Sequence, residues 1–312
     1  MDPVVLFFVL GLIGSIFKSD LKIPASFYTV LSIYLLLAIG IKGGIELQHT
    51  QISSVIVPGL VTILLGASIT IVAYTILSKI LRFTITDSIA IATHYGSVSA
   101  VTYAIVSNFL NQKNLIYEEY STVLLVLLEI PAIITGALLV QFLINRSDTK
   151  TDFKKVFSEV FLGKSILLLL GGLLIGYYMS LVGNLKLNFF FKDLFQGFLA
   201  IFLLEMGVVT GSQLQSLKKV GISLILFGGA MPLISAFLGF GAAKLAGLSL
   251  GGAVVLATMA SSASYIAAPT AIKMLLPKAN ATYYMTAALG ITFPFNVIFG
   301  IPLYYKVISQ IY

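Results

Sequence analysis

Thr93-His94-Tyr95-Gly96-Ser97-Val98-Ser99-Ala100-Val101-Thr102 lies inside an otherwise apolar segment. A helix crossing a bilayer satisfies its own backbone. It has no need of a histidine, a glycine and a run of hydroxyls at its centre. Irregular backbone survives at membrane depth only where protein or trapped water satisfies it. The stretch therefore reads as a break in a helix that lines a polar cavity. Far downstream, Ser261-Ser262-Ala263-Ser264-Tyr265-Ile266-Ala267-Ala268-Pro269-Thr270 has similar chemistry. The two are expected to face each other as halves of one binding site.

Composition sets the frame. Only 10% of the 312 residues are charged and 58% are hydrophobic, with a mean hydropathy of +1.03. A soluble domain carries about 25% charge, so this is an all-α membrane protein. Spans of about 20 residues allow roughly ten transmembrane helices. The apolar runs are continuous and not alternating, which disfavours a β-barrel. The net charge of +7 reads as topology and not as nucleic-acid binding, because Lys and Arg fall in short loops. Cysteine is absent, so thiolate metal sites and disulfides are unavailable. Met1–Phe17 carries Asp2 and no basic residue. It reads as a short first span and not as a signal peptide.

Apolar segments fall at 3–17, 24–44, 54–81, 87–108 and 120–144, and again at 164–182, 193–213, 221–246, 249–275 and 282–311. The charged stretch 145–164 separates the two sets of five. Most basic residues, among them Lys18, Lys22, Lys79, Arg82, Arg146, Lys150 and Lys218, fall in the odd-numbered loops. The positive-inside rule puts those loops, and the 145–164 linker, in the cytoplasm, with both termini outside a plasma membrane.

The two sets match each other. Leu37, Gly40, Gly44 and Leu47 align with Leu204, Gly207, Gly211 and Leu214. Ala92, Thr93, Ser97 and Ser99 align with Ala257, Thr258, Ser262 and Ser264, and Glu129-Ile130-Pro131 with Thr292-Phe293-Pro294. Five helices per copy make the copies run oppositely through the membrane. That is an inverted repeat, 1–144 against 165–312, a construction common in secondary transporters.

Two broken helices meeting near the midplane present helix N-termini to each other. Such ends hold free N–H groups and partial positive charge, and bind anions without Arg or Lys. Ser97, Ser99, Ser262 and Ser264 would add hydroxyls. The competing reading is that small residues only permit close helix packing. The second break lacks a glycine. Glu129 sits mid-span, where a carboxylate costs roughly 2.5–3.5 kcal/mol on insertion scales and marks an ion path. Carboxylate, hydroxyl and carbonyl oxygens suit a hard cation such as sodium. A proton on Glu129, or a structurally bonded protonated acid, stays open. Glu205 is expected to be structural, Lys42 to snorkel, His94 to be a satisfied core residue and His49 to be on the surface. The chain has no HExxH, GxSxG or Walker motif, so nothing points to an enzyme.

At these residues the chain resembles the sodium-dependent bicarbonate transporter family. The stretches that carry the likeness are Ile39-Gly40-Ile41-Lys42-Gly43-Gly44, Tyr95-Gly96-Ser97-Val98-Ser99, Glu129-Ile130-Pro131-Ala132, Leu248–Ala257, Ser261–Thr270 and Pro277-Lys278-Ala279-Asn280. The resemblance implies two inverted five-helix repeats and a homotrimer. It implies a gate domain from helices 1–2 and 6–7 and a moving core from helices 3–5 and 8–10. It implies sodium and bicarbonate uptake at the crossing, with Ser97, Ser99, Ser262, Ser264 and Tyr265 on the anion and Glu129, Ser99 and Ser264 on sodium. The chain departs from the family pattern in having Glu129 for Asp, Tyr265 for Asp, and a much shorter linker. The last weakens carry-over of the family's PII-like regulator. Three functions are weighed: sodium-coupled symport of a small anion, bicarbonate first, by an elevator movement; a proton-coupled or exchange carrier of a small organic anion; and a membrane regulator that transports nothing.

Overall fold

The computed structural model describes residues 3–21, 23–144, 153–183, 186–214 and 216–312. Asp2, Lys22, Arg146, Lys150 and the first half of the linker lie outside the described residues. All ten apolar segments are helical. In chain order they are α1 (Pro3–Ile16), α2 (Ala25–Leu47), α3 (Ile52–Thr75), α4 (Ile85–Gly96), α5 (Ala100–Gln112) and α6 (Ser121–Leu143). A helix in the linker follows, α7 (Phe153–Leu162). Then come α8 (Lys164–Leu181), α9 (Phe195–Leu214), α10 (Leu217–Leu245), α11 (Leu250–Ser261) and α12 (Ala267–Leu275). The last is α13 (Ala281–Ile311), which contains π-helical turns at Thr286–Thr292 and Asn296–Gly300.

Among the described residues, eight spans are long and apolar enough to cross a membrane, α4 and α5 together counting as one. Pro3–Ile16 and Leu250–Ser261 are apolar but shorter. In each of the two interrupted segments the helix stops at the expected hydroxyl stretch. α10 bends at Gly221, whose φ of 77° suits glycine alone.

Two helix pairs stand out, α1 with α9 and α2 with α8. Glycines explain both. A Cβ on Gly40 would press into the Leu169 carbonyl, and one on Gly44 into the Leu173 carbonyl. A Cβ on Gly207 would strike the Phe8 carbonyl, and one on Gly211 the Ser15 side chain. The Gly40/Gly44 and Gly207/Gly211 matches in the sequence thus do the same job in both places. They let backbones touch, which is how helices hold together where lipid removes the hydrophobic drive. α2 also packs on α9, so the four helices form one set.

The other helices surround the two breaks. α4 packs on α3 and α6, and α11 on α10, α5 and α13. Every residue from Ser88 to Asn108 is buried, as is every residue from Gly251 to Tyr265. Neither break meets lipid. α7 was not foreseen as a helix. Its Val156 packs with Ile133, Ala137, Ile166 and Ala271, so the linker's second half is tied to α6, α8 and α12.

Candidate functional site

The crossing is built by two matched caps and two matched stops. Thr84 Oγ1 accepts from the Asp87 amide at 3.1 Å and starts α4. Ser249 Oγ accepts from the Gly252 amide at 3.1 Å and starts α11. Each side chain satisfies a free N–H of the first turn. Both helices then run 12 residues and stop at a serine, Ser97 and Ser262, with ψ of 167° in each. Each N-terminus also takes a contact from a distant loop. Glu118 Oε1 accepts from the Ser249 amide at 2.5 Å, and Asp87 Oδ1 from the Asn280 amide at 2.8 Å.

The chain restarts as α5, capped by Ser99, and as α12, whose first turn is reached by Ser264 from two residues before its Ile266 N-cap. Ser99 Oγ accepts from the Thr102 amide, and Ser264 Oγ from the Ala268 amide, each at 3.2 Å. The breaks bond each other reciprocally. The Ser99 amide donates to Ser262 Oγ at 2.9 Å, and the Ser264 amide to the His94 carbonyl at 2.8 Å. The second break needs no glycine because its polar groups find these partners.

The hydroxyls then divide by what they have left to give. A serine hydroxyl has one proton and two lone pairs. Ser262 donates to the Met259 carbonyl at 2.7 Å and accepts from Ser99, so it serves as a strut between the breaks. Ser99 and Ser264 only accept, which leaves their protons free. Ser97 Oγ is buried with no partner. The Tyr265 hydroxyl is also buried without a partner. It lies beside the Ser99 hydroxyl, and its ring meets Phe293 edge-on at 5.5 Å. The first turns of α5 and α12 leave N–H groups without intrahelical acceptors.

Glu129, on α6, is buried, with its carboxyl beside the Ser165 hydroxyl of α8. Its Oε2 has no hydrogen-bond partner. None of the bonds made by Ser99 or Ser264 involves it. At the matching position in the second half, Thr292 is fully engaged. It donates to the Gly228 carbonyl at 2.8 Å and accepts from the Tyr95 hydroxyl at 2.6 Å.

His94 donates from Nδ1 to the Ala90 carbonyl at 2.7 Å and stacks on Tyr284 at 4.4 Å. Its Nε2 is enclosed and unpartnered. Glu205 is buried near Tyr28, its Oε2 unpartnered. Lys42 reaches Tyr117 Oη at 3.4 Å and Glu46 at 3.8 Å, and lines a cavity. His49 is exposed. Asn296 was missed by sequence reasoning. Its Nδ2 donates to the Ser261 carbonyl at 2.9 Å, while Oδ1 accepts from Tyr304 at 2.9 Å. It satisfies the carbonyl end of α11, a role that no local pattern signals.

Fold and site together define a multi-pass, all-helical membrane protein whose polar centre is made by two interrupted helices. A model of the Na+-dependent bicarbonate transporter superfamily matches residues 3–309, and the chain belongs to that superfamily. No curated protein matches the chain.

Proposed function

We propose that the protein is a secondary active transporter that couples sodium to a small anion, bicarbonate first, across the plasma membrane. The observation that carries this reading is the reciprocal bonding of two matched breaks, Ser99 to Ser262 and Ser264 to His94. It brings two helix N-termini together in a site screened from lipid. The free hydroxyl protons of Ser97, Ser99, Ser264 and Tyr265 and the N–H groups of α5 and α12 are donors of the kind an oxyanion takes. Ser262 holds the geometry and lies within the same site. Sodium is the transported partner ion. Glu129 is its carboxylate ligand, with Ser99 and Ser264 as further oxygens once the site fills. Only one half of the chain carries an acid at this position, which argues for a single strong cation site.

The architecture in this reading is two inverted five-helix repeats, 1–144 and 165–312, in a homotrimer. The equal lengths of α4 and α11, the matching caps, and the exchanged glycine contacts support it. α1, α2, α8 and α9 would form the static gate, and the remaining spans a core that moves past it as an elevator. The basic loops, with 145–164, face the cytoplasm. Coupling requires that the empty and fully loaded carriers cross while the half-loaded one does not.

Radiolabelled bicarbonate uptake into proteoliposomes tests the reading, with and without an inward sodium gradient at fixed pH. Sodium-dependent accumulation is expected. A tenfold gradient supplies about 1.4 kcal/mol, enough for about tenfold accumulation in one-to-one coupling. Uptake driven by a pH gradient without sodium would favour proton coupling through Glu129, whose enclosed Oε2 could hold a proton equally well. Absence of uptake of any small anion by folded protein would favour a regulator that transports nothing.

A further inference from the structure

Two lysines on the α2/α8 pair each open onto a cavity beside the crossing. Gly40 meets Leu169 and Gly172, and Gly44 meets Leu173 and Tyr177, so α2 and α8 run parallel. Lys164 begins α8 and shares a cavity of 450 Å³ with Tyr28, Ser32, Ser165, Tyr265 and Thr270. Lys42 lies further along the pair, about 15 Å beyond the level of Ser32 at 1.5 Å per residue. It lines a cavity of 360 Å³ with Tyr103, Ser107, Asn108, Asn111 and Gln196. The Lys164 cavity follows the first turns of α12. The Lys42 cavity follows α5, where Ser99, Tyr103 and Ser107 share one face.

Each cavity holds a buried hydroxyl with no partner. Ser107 is 7% exposed and Tyr265 6% exposed. Each is rich in hydrogen-bond donors, and each carries a lysine that solvent can reach. In the Lys42 cavity Lys192 offsets Asp193, and Glu46, 3.8 Å from the Lys42 ammonium, is the partner that an incoming anion must displace or share. Among the described residues no carboxylate lines the Lys164 cavity, and Glu129 lies behind its Ser165. Low-dielectric clefts lined by positive charge concentrate anions and raise their arrival rate.

We propose that Lys42 and Lys164 are the charged residues of two vestibules that collect a small oxyanion on opposite sides of the crossing. The proposal rests on the transport reading. It names two binding positions outside the breaks, with bicarbonate as the first ligand.

The chain has no cysteine, so Lys42→Cys and Lys164→Cys each place one thiol. Labelled bicarbonate uptake into proteoliposomes is measured for each variant before and after thiol modification. Each variant is expected to raise KM about three- to tenfold, the effect of one charge at a partly exposed site. A cationic aminoethyl methanethiosulfonate returns the charge and restores KM, while the anionic sulfonatoethyl reagent raises it further. Loss of structure alone would not follow the sign of the reagent. Unchanged KM in both variants, or equal effects of both reagents, overturns the proposal. In purified protein, bicarbonate is also expected to slow labelling of each thiol relative to chloride at equal ionic strength. Should the wild type move no bicarbonate, the transport reading falls, and this protection assay alone decides the vestibules. Slowed labelling supports them and unchanged labelling overturns them.

Discussion

The Ser99 amide donates to Ser262 Oγ across 2.9 Å, joining residues 163 positions apart at the point where both helices stop. This bond and its counterpart, Ser264 to His94, tie the two breaks together and leave the first-turn N–H groups of α5 and α12 free of that task. The hydroxyls not consumed by that task are the ones available to a ligand.

Ser97→Ala separates binding from folding. Ser97 Oγ has no partner, so its removal is expected to leave the thermal unfolding temperature unchanged. If Ser97 donates to the anion, bicarbonate affinity falls about tenfold, as for one hydrogen bond to a charged group. Thermal unfolding and calorimetric titration on the same preparation check both halves.

Ser262→Ala acts the other way. It strands the buried Ser99 N–H, which costs about 1–3 kcal/mol. Lower thermal stability is the expected result, with weaker anion binding following from the loosened crossing. Unfolding at wild-type temperature would mean the strut is dispensable.

Glu129→Gln keeps the shape of the side chain and removes its charge. We expect folded protein whose anion uptake no longer responds to sodium. Full sodium dependence in this variant would place the cation elsewhere. Ser165→Ala, which removes the hydroxyl beside Glu129, is expected to change sodium affinity more than bicarbonate affinity.

Gly207→Ala tests the α1/α9 contact. The added methyl would meet the Phe8 carbonyl, and backbone cannot yield as a side chain can. A loss of about 1–3 kcal/mol, typical of overpacking, should appear as reduced thermal stability. Gly197→Ala, on the same helix with nothing within 4 Å, serves as the neutral control.

Long apolar segments were legible because a membrane span is a continuous local signal. Both breaks were legible because hydroxyls cluster where no lipid-facing helix needs them. The match between Gly40/Gly44 and Gly207/Gly211 was visible in the sequence, and their role in close helix contact comes from the structure. α7 escaped because ten residues in a charged linker, with Lys154, Lys155 and Glu159 among the apolar ones, are too short to give a span signal. The contacts from Glu118 to Ser249 and from Asn280 to Asp87 escaped because they join loops to distant helix starts. Glu129 announced itself by its cost at membrane depth, yet its neighbour Ser165 could only come from packing. Asn296, and the bonds that Thr292 makes, were hidden for the same reason. Each satisfies a backbone carbonyl of another segment, which no spacing in their own helix records.

The coupling itself is measured most directly by titrating bicarbonate into purified protein by calorimetry, in sodium and in potassium at equal ionic strength. Sodium is expected to tighten bicarbonate binding, and bicarbonate to tighten sodium binding by the same factor, as linkage requires. Equal bicarbonate affinity in the two salts would contradict a sodium-coupled anion site at the crossing.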